Sequence, residues 1–401
     1  MTRQTAPKRR FLEVLSVFLR LGLTSFGGPV AHLGYFHAEF VQRRKWLSDD
    51  RYADLVALCQ FLPGPASSQV GFGLGVMRAG IWGGFAAWLG FTLPSALALT
   101  AFALTLDAVG DVSGAGWLRG LKLVAVAVVA QALWGMAVKL AQGRVQASLA
   151  LLAAIAVLLV PTGLMQLLLI ILGGLLGWRL LPAPPSETRQ PEALLLTRRT
   201  GATLLSVFVA LLLLLPVARD LTGNRGVALF DAFYRAGALV FGGGHVVLPL
   251  LEAEVVPTGW VDSATFTAGY GAAQAVPGPL FTFSAFLGAA SAPGLAGVWA
   301  ALVALVAIFT PSFLLLLGVW PFWQTLRTLA PVQASLRGVG AVVVGILLAA
   351  LYDPVWTSAV SSASDVALAL GAFLALTIWR WPPWLVVVLS AGVGAALSAL
   401  A

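Results

Sequence analysis

Phe61-Leu62-Pro63-Gly64-Pro65 and, upstream of it, Phe26-Gly27-Gly28-Pro29 decide how this chain folds. Both lie in apolar sequence. Proline there removes a backbone donor and clashes with the preceding turn, and glycine resists helical restriction, so each stretch breaks a helix. Both return in the second half. Phe241-Gly242-Gly243-Gly244 begins 215 positions after Phe26, and in Val276-Pro277-Gly278-Pro279 the first proline lies 214 positions after Pro63. The interval between the two breaks is conserved within the chain to one residue, which is an internal duplication.

Composition sets the solvent. Hydrophobic residues make up 59% and charged residues 10%, against ~25% charged in a soluble domain, and the mean hydropathy is +0.93. The chain reads as an integral membrane protein. Several apolar runs reach the ~20 residues that a spanning helix needs, and the alternating pattern of a transmembrane barrel is absent, so the expected fold is all-α and polytopic. The net charge of +8 comes from basic residues clustered at the ends of apolar segments. Topology explains that placement and nucleic-acid binding does not. The single cysteine, Cys59, excludes an intrachain disulfide and reads as a packed core residue. Neither a metal-ligand cluster nor a cofactor motif is present, and glycine pairs such as Gly73-Leu74-Gly75 sit in apolar helices, where they serve close packing rather than nucleotide binding.

In order along the chain, residues 11–26 and 29–41 form two helical arms around the first break, and 49–61 and 66–77 two arms around the second. Arms of this size cover roughly 20 to 24 Å against a core of about 30 Å. Two re-entrant hairpins would keep the N-terminal basic cluster and the Arg43 to Arg51 loop on one side, as the positive-inside rule favours. Ser48 is placed to cap the helix from 49. Ordinary spans are expected over 81–106, 117–139, 145–160, 163–178, 201–218, 295–318, 335–352, 365–379 and 384–400. With each broken hairpin counted as one element, this gives about 13 helical segments. The expected organisation is a first repeat over 1–181, a Pro- and Arg-rich cytoplasmic linker over 182–200, an extra connecting helix over 201–225 and a second repeat over 226–401. The extra helix inverts the second repeat. Its loop 256–262 accordingly lacks lysine and arginine, and the C-terminus falls outside while the N-terminus stays in the cytoplasm. Inverted repeats with broken helices at matching positions are the layout of secondary transporters.

The chain resembles the chromate ion transporter family in its long two-domain form. The resemblance rests on Phe26-Gly27-Gly28-Pro29 with His32, Glu39, Trp46, Leu47 and Leu58-Cys59-Gln60 leading into Leu62-Pro63-Gly64-Pro65, and on Phe241 to Gly243, Glu254, Trp260, Gln274 and Pro277 to Pro279 in the second half. It implies export of chromate across the cytoplasmic membrane, with chromate resistance as the outcome, and sulfate as a related oxyanion. Uptake of such an anion, or an anion channel of the same architecture, is the alternative. The chain departs from repeat symmetry at Gly244-His245, which stand where the first half has Pro29-Val30.

Chemistry follows from polar residues within apolar sequence. Arg20 and Arg235 each precede their Phe-Gly-Gly by six positions, and Arg119 and Arg337 are 218 apart. Arginine at membrane depth costs on the order of 3 kcal/mol, so its repetition needs a reason. A guanidinium fork suits two oxygens of a tetrahedral dianion, and the helix starts after Gly27, Gly28 and Pro29, after Pro63, Gly64 and Pro65, and at Gly242, Gly243 and Gly244 and Pro277, Gly278 and Pro279 add free N–H groups. Alternatively these arginines snorkel, or pair with Glu13, Glu39 or Glu254. Glu39 and Glu254, 215 apart, either carry protons for coupling or lie at helix ends. His32 and His245 either contact the anion or pack as donors. Gln60 and Gln274 precede their Pro-Gly-Pro turns by three positions and either satisfy the break or touch the ligand, and Ser67, Ser68 and Thr282 have the same choice between capping and ligand. A catalytic set is lacking, so an enzyme has no support. The expected partners are a small oxyanion and the lipid bilayer; nucleic acid is not one, and a homodimer is compatible with the sequence.

Overall fold

The computed structural model describes residues 7–26, 28–109, 116–182, 196–241, 246–326 and 328–400. Among these there is no strand. The first break separates α1 (Pro7–Thr24) from α2 (Gly28–Phe36), which continues as a π-helix over His37–Arg43. The second separates α3 (Asp49–Phe61) from α4 (Ala66–Val109). Ser48 caps α3 by accepting from the Arg51 N–H, as its position predicts. Non-helical Ala79 and Gly80 divide α4 in two, so the arm after Pro65 ends at Arg78 and a separate span begins, close to the expected 81.

Four further helices follow: α5 (Gly116–Leu140), α6 (Arg144–Leu159), α7 (Gly163–Leu180) and α8 (Arg198–Thr222). The second half opens with α9 (Arg225–Leu239), α10 (Val247–Val255), α11 (Ser263–Ala273) and α12 (Phe283–Ala290), the arms around its two breaks. It ends with α13 (Gly294–Val319), the short α14 (Trp323–Leu326), α15 (Ala330–Ala350), the three-residue α16 (Thr357–Ala359), α17 (Ala363–Thr377) and α18 (Pro383–Leu400). Among the described residues, five helical stretches are long and apolar enough to cross a membrane: Ala66–Leu106, Gly116–Leu140, Arg198–Thr222, Gly294–Phe322 and Ala330–Ala359. Only 6% of the most apolar window of α8 is buried, so this helix lies at the edge of the protein, with one side against α9 and α13.

Packing intertwines the halves. α1 lies along α4 and α9 along α13, while α5 packs on α17 and α18 of the other half and α15 packs on α6 and α7. Lipid tails are as apolar as leucine, so such contacts depend on close approach at small residues rather than on a hydrophobic drive. Gly22 of α1 and Gly237 of α9 are matched instances. A Cβ on Gly22 would stand 2.6 Å from the Gly90 carbonyl oxygen, and one on Gly237 would strike the Ile308 carbonyl oxygen. Phe18, Phe36, Phe40 and Phe91 form one aromatic core beside the first breaks, and Phe266, Phe283 and Phe286 one beside the second. Cys59 is fully buried, as its reading as a core residue requires.

Candidate functional site

The breaks of the two halves cross each other. The Gly64 N–H donates to the Val240 carbonyl oxygen at 2.6 Å, and the Gly278 N–H donates to the Ser25 carbonyl oxygen at 3.0 Å. Ser25 and Val240 each directly precede the phenylalanine of a Phe-Gly-Gly motif. Each Pro-Gly-Pro turn is therefore pinned to the Phe-Gly-Gly break of the opposite half. Gly64 and Gly278 have φ of 118° and 103°, a backbone region that excludes side chains in practice. Space excludes them too: a Cβ on Gly64 would run into the Ser312 side chain, and one on Gly278 would lie 2.9 Å from Ser95 Oγ and 3.1 Å from the Phe91 carbonyl oxygen.

Ser95 and Ser312 escaped the sequence reading. Each follows a proline inside a long helix, Pro94 in α4 and Pro311 in α13, and the pairs are 217 positions apart. That repeated Pro-Ser was the signal available.

A cavity of ≈ 60 Å³ opens at the crossing of Gly278 with Ser25, lined by Gly28, Pro29, Gln131, Gln274, Gly278 and Pro383 among others. This is room for a few waters or a small ion. α2 starts at Gly28, so the unbonded N–H groups of its first turn and the positive end of its dipole are at this wall. Gln274 Nε2 is buried with no hydrogen-bond partner among the described residues. On the far wall Gln131 donates to the Leu376 carbonyl oxygen at 3.1 Å, which ties α5 to α17.

His32, 1% exposed, joins the breaks of the first half. Its Nε2 lies 3.2 Å from the Ser25 carbonyl oxygen and its Nδ1 lies 3.4 Å from Ser67 Oγ. A carbonyl only accepts, so Nε2 carries the proton and Nδ1 accepts from Ser67. Gln60 is exposed and does not satisfy its break. Gln69 does so instead, donating from Nε2 to the Pro63 carbonyl oxygen at 2.8 Å and from its N–H to the Pro65 carbonyl oxygen at 2.9 Å. At the matching turn the Pro279 carbonyl oxygen accepts from Thr282 Oγ1 at 2.8 Å, and Pro277 is half-buried beside it. Gly27, Gly242, Gly243, Gly244 and His245 lie outside the described residues.

The arginines are held apart from the cavity by carboxylates. Arg20 pairs with Glu39 at 2.7 Å, and the same carboxylate, 7% exposed, receives Arg43 at 3.0 Å and Arg44 at 2.6 Å. Glu13 takes Arg78 at 2.9 Å and Arg44 at 3.5 Å. In the second half Arg235 pairs with Glu254 at 2.9 Å and grips Asp231 with two donors at 3.0 and 2.9 Å. Arg219 reaches the fully buried Asp231 at 3.1 Å. Asp231 was also missed, though its position four residues before Arg235 is the spacing of a helical ion pair. Arg119 and Arg337 part company: the first pairs with buried Asp365 at 2.7 Å, and the second is half-buried and donates to the Pro182 carbonyl oxygen.

Comparison with known proteins gives one answer. The family described as "Chromate transporter" matches residues 12–178 and 227–395. The chain is 29% identical over 360 residues to a chromate transport protein of Pseudomonas aeruginosa, covering 88% of this chain and 83% of that protein. It is 30% identical over 352 residues to a probable chromate transport protein of Synechococcus elongatus, covering 86% and 84%. A chromate transport protein of Cupriavidus metallidurans is 28% identical over 357 residues, covering 86% and 83%. No solved structure matches the chain. With both halves matched and a membrane-spanning helical fold, the chain belongs to the chromate transporter family.

Proposed function

We propose that the protein is a secondary transporter that exports chromate across the cytoplasmic membrane and thereby gives chromate resistance. The observation that carries this reading is the cavity between Gly28-Pro29 and Gln274-Gly278. It sits where two broken helices cross, and the groups on that wall, the α2 start and Gln274 Nε2, are donors suited to oxyanion oxygens. Irregular backbone at membrane depth is tolerated only where protein encloses it or a cavity is lined by it, and both conditions meet at this crossing. Sulfate, of the same shape and charge, competes for the site. Arg20 and Arg235 stand outside it as donors that leave Glu39 and Glu254 to meet the anion on its way in or out, while the two carboxylates take part in coupling.

In this reading residues 1–181 and 226–401 are inverted repeats joined by the linker 182–200 and the connecting helix 201–225, with the N-terminus in the cytoplasm and the C-terminus outside. Cysteine-accessibility labelling is expected to place the 43–51 loop inside and the 256–262 loop outside; both on one side refutes the inversion.

Function is tested by flux of labelled chromate in proteoliposomes, with and without a sulfate, pH or sodium gradient. Gradient-dependent flux is expected, and flux indifferent to every gradient makes the protein a channel. Gly64→Leu and Gly278→Leu are expected to insert and yet abolish flux, since each side chain would enter a crossing that admits none. Undiminished flux in both variants moves the site elsewhere.

A further inference from the structure

The two crossings differ in the atoms they leave unpaired. The set at the Gly278 crossing includes an amide donor, Gln274 Nε2. Two hydroxyls around that turn are satisfied, Ser95 Oγ donating to the Thr92 carbonyl oxygen at 3.1 Å and Thr282 Oγ1 to the Pro279 carbonyl oxygen at 2.8 Å, while Ser25 Oγ and Thr92 Oγ1 have no partner among the described residues. Around Gly64 the unpaired atoms are oxygens. Ser68 Oγ, Gln69 Oε1 and Ser312 Oγ have no hydrogen-bond partner among the described residues, and their residues are 3%, 0% and 0% exposed. The positions matching Ser67, Ser68 and Gln69 are Phe281, Thr282 and Phe283, so the second half does not repeat this set.

The Gln69 amide cannot turn over to offer a donor. Its Nε2 is spent on the Pro63 carbonyl oxygen at 2.8 Å, and the flipped amide would set oxygen against oxygen. The acceptor is thus held in place. Ser312 Oγ packs on the very point where a Cβ of Gly64 would sit, and the Gln69 amide borders the same point through Nε2, 2.9 Å from it. The end of α3 adds more oxygen. Its last-turn carbonyls at Cys59 and Gln60 would bond the N–H groups of residues 63 and 64, but Pro63 has none and the Gly64 N–H is given to Val240. Helix C-terminal carbonyls carry the negative end of the dipole and favour a cation.

Hard oxygen ligands without a carboxylate suit a monovalent cation better than calcium or magnesium, whose sites use carboxylates. Unwound carbonyls and half-helix C-termini are how broken-helix transporters hold sodium. We infer that the Gly64 crossing is a sodium-class cation site, separate from the oxyanion cavity and built by Ser312, Gln69, Ser68 and the end of α3. Its role in coupling rests on the transport reading above; cation binding does not.

The test is thermal unfolding of the purified full chain at constant ionic strength, with choline chloride replaced by NaCl or KCl and no oxyanion present. Sodium is expected to raise the Tm saturably and potassium to do so much less. Ser312→Ala and Gln69→Leu are expected to raise the half-saturating sodium concentration tenfold or more. Thr310→Val, two residues along the same helix and hydrogen-bonded only within it, is expected to behave as wild type. A Tm indifferent to sodium, or an equal sodium response in wild type and both variants, overturns the inference. So does a protection by chromate or sulfate that Ser312→Ala removes, because Ser312 would then be an oxyanion ligand. A sodium response without any chromate flux would support the cation site and refute the transport reading. Chromate flux that is equal in sodium and choline would refute the coupling.

Discussion

Glu39 and Glu254 occupy matching places in the two halves, and each holds the arginine six residues before its Phe-Gly-Gly break. Their surroundings are opposite in charge. Around Glu39 stand Arg20, Arg43 and Arg44, with Arg78 on the neighbouring Glu13, and Arg44 and Arg78 lie over the Trp46 ring at 5.8 and 4.9 Å. Around Glu254 stand Arg235 and Arg219 with Asp231 and Asp220 as further carboxylates. The first cluster has cation to spare and the second does not. One duplicated ion pair thus sits in an arginine-rich group in one half and in a carboxylate-rich group in the other.

The largest expected effect separates ligand from partner. If Arg20 meets the dianion, Arg20→Gln weakens chromate transport by a charged hydrogen bond's ~2 to 3 kcal/mol, about thirty- to more than a hundredfold in apparent affinity. The double variant Arg20→Gln with Glu39→Gln does not recover it. Flux and apparent affinity at matched protein levels decide, and wild-type values in the double variant would leave Arg20 as a structural partner only. The same series at Arg235 and Glu254 sharpens the contrast, because Asp231 keeps a grip on Arg235 when Glu254 is neutral.

Stability gives the next contrast. Breaking a buried ion pair costs ~3–5 kcal/mol, less where solvent reaches the partners. Glu39→Gln strands the partly exposed guanidinium groups of Arg20 and Arg43 and leaves Arg44 only its pair with Glu13, so a loss of about 2 kcal/mol is expected. Glu254→Gln leaves Arg235 paired and should cost about 1 kcal/mol or less. Thermal unfolding of the purified variants measures both, and equal losses would erase the difference drawn between the clusters.

The smallest effect is that of Arg20→Lys, which keeps the charge and loses the planar two-donor fork, so transport should fall only in part. A lysine variant as inactive as glutamine would mean that geometry, not charge, is what the first cluster supplies.

Much of this was legible in one dimension. Helix breaks announce themselves through proline and glycine chemistry, which is local, so Phe26-Gly27-Gly28-Pro29 and Pro63-Gly64-Pro65 mark the ends of α1, α2, α3 and α4 before any tertiary contact is known. Span positions followed from runs of apolar residues, since lipid demands them whatever the neighbours are. Repeat spacing further paired Arg20 with Arg235 and Glu39 with Glu254, and the structure joins each arginine to its glutamate.

Other choices needed the folded chain. Gln60 and Gln69 are both glutamines beside one turn, and only the direction in which α3 and α4 face leaves the first exposed and sends the second to the Pro63 carbonyl oxygen. Which Pro-Gly-Pro meets which Phe-Gly-Gly is equally nonlocal, because Gly64 bonds Val240 and Gly278 bonds Ser25, each in the opposite half of the chain. Ser312 and Ser95 matter through what a glycine more than 180 positions away leaves uncovered. Backbone propensity and hydropathy depend on a residue and its near neighbours, so they can be read in order; hydrogen-bond partnership depends on which surfaces the packing brings together, and that is decided only when the helices cross.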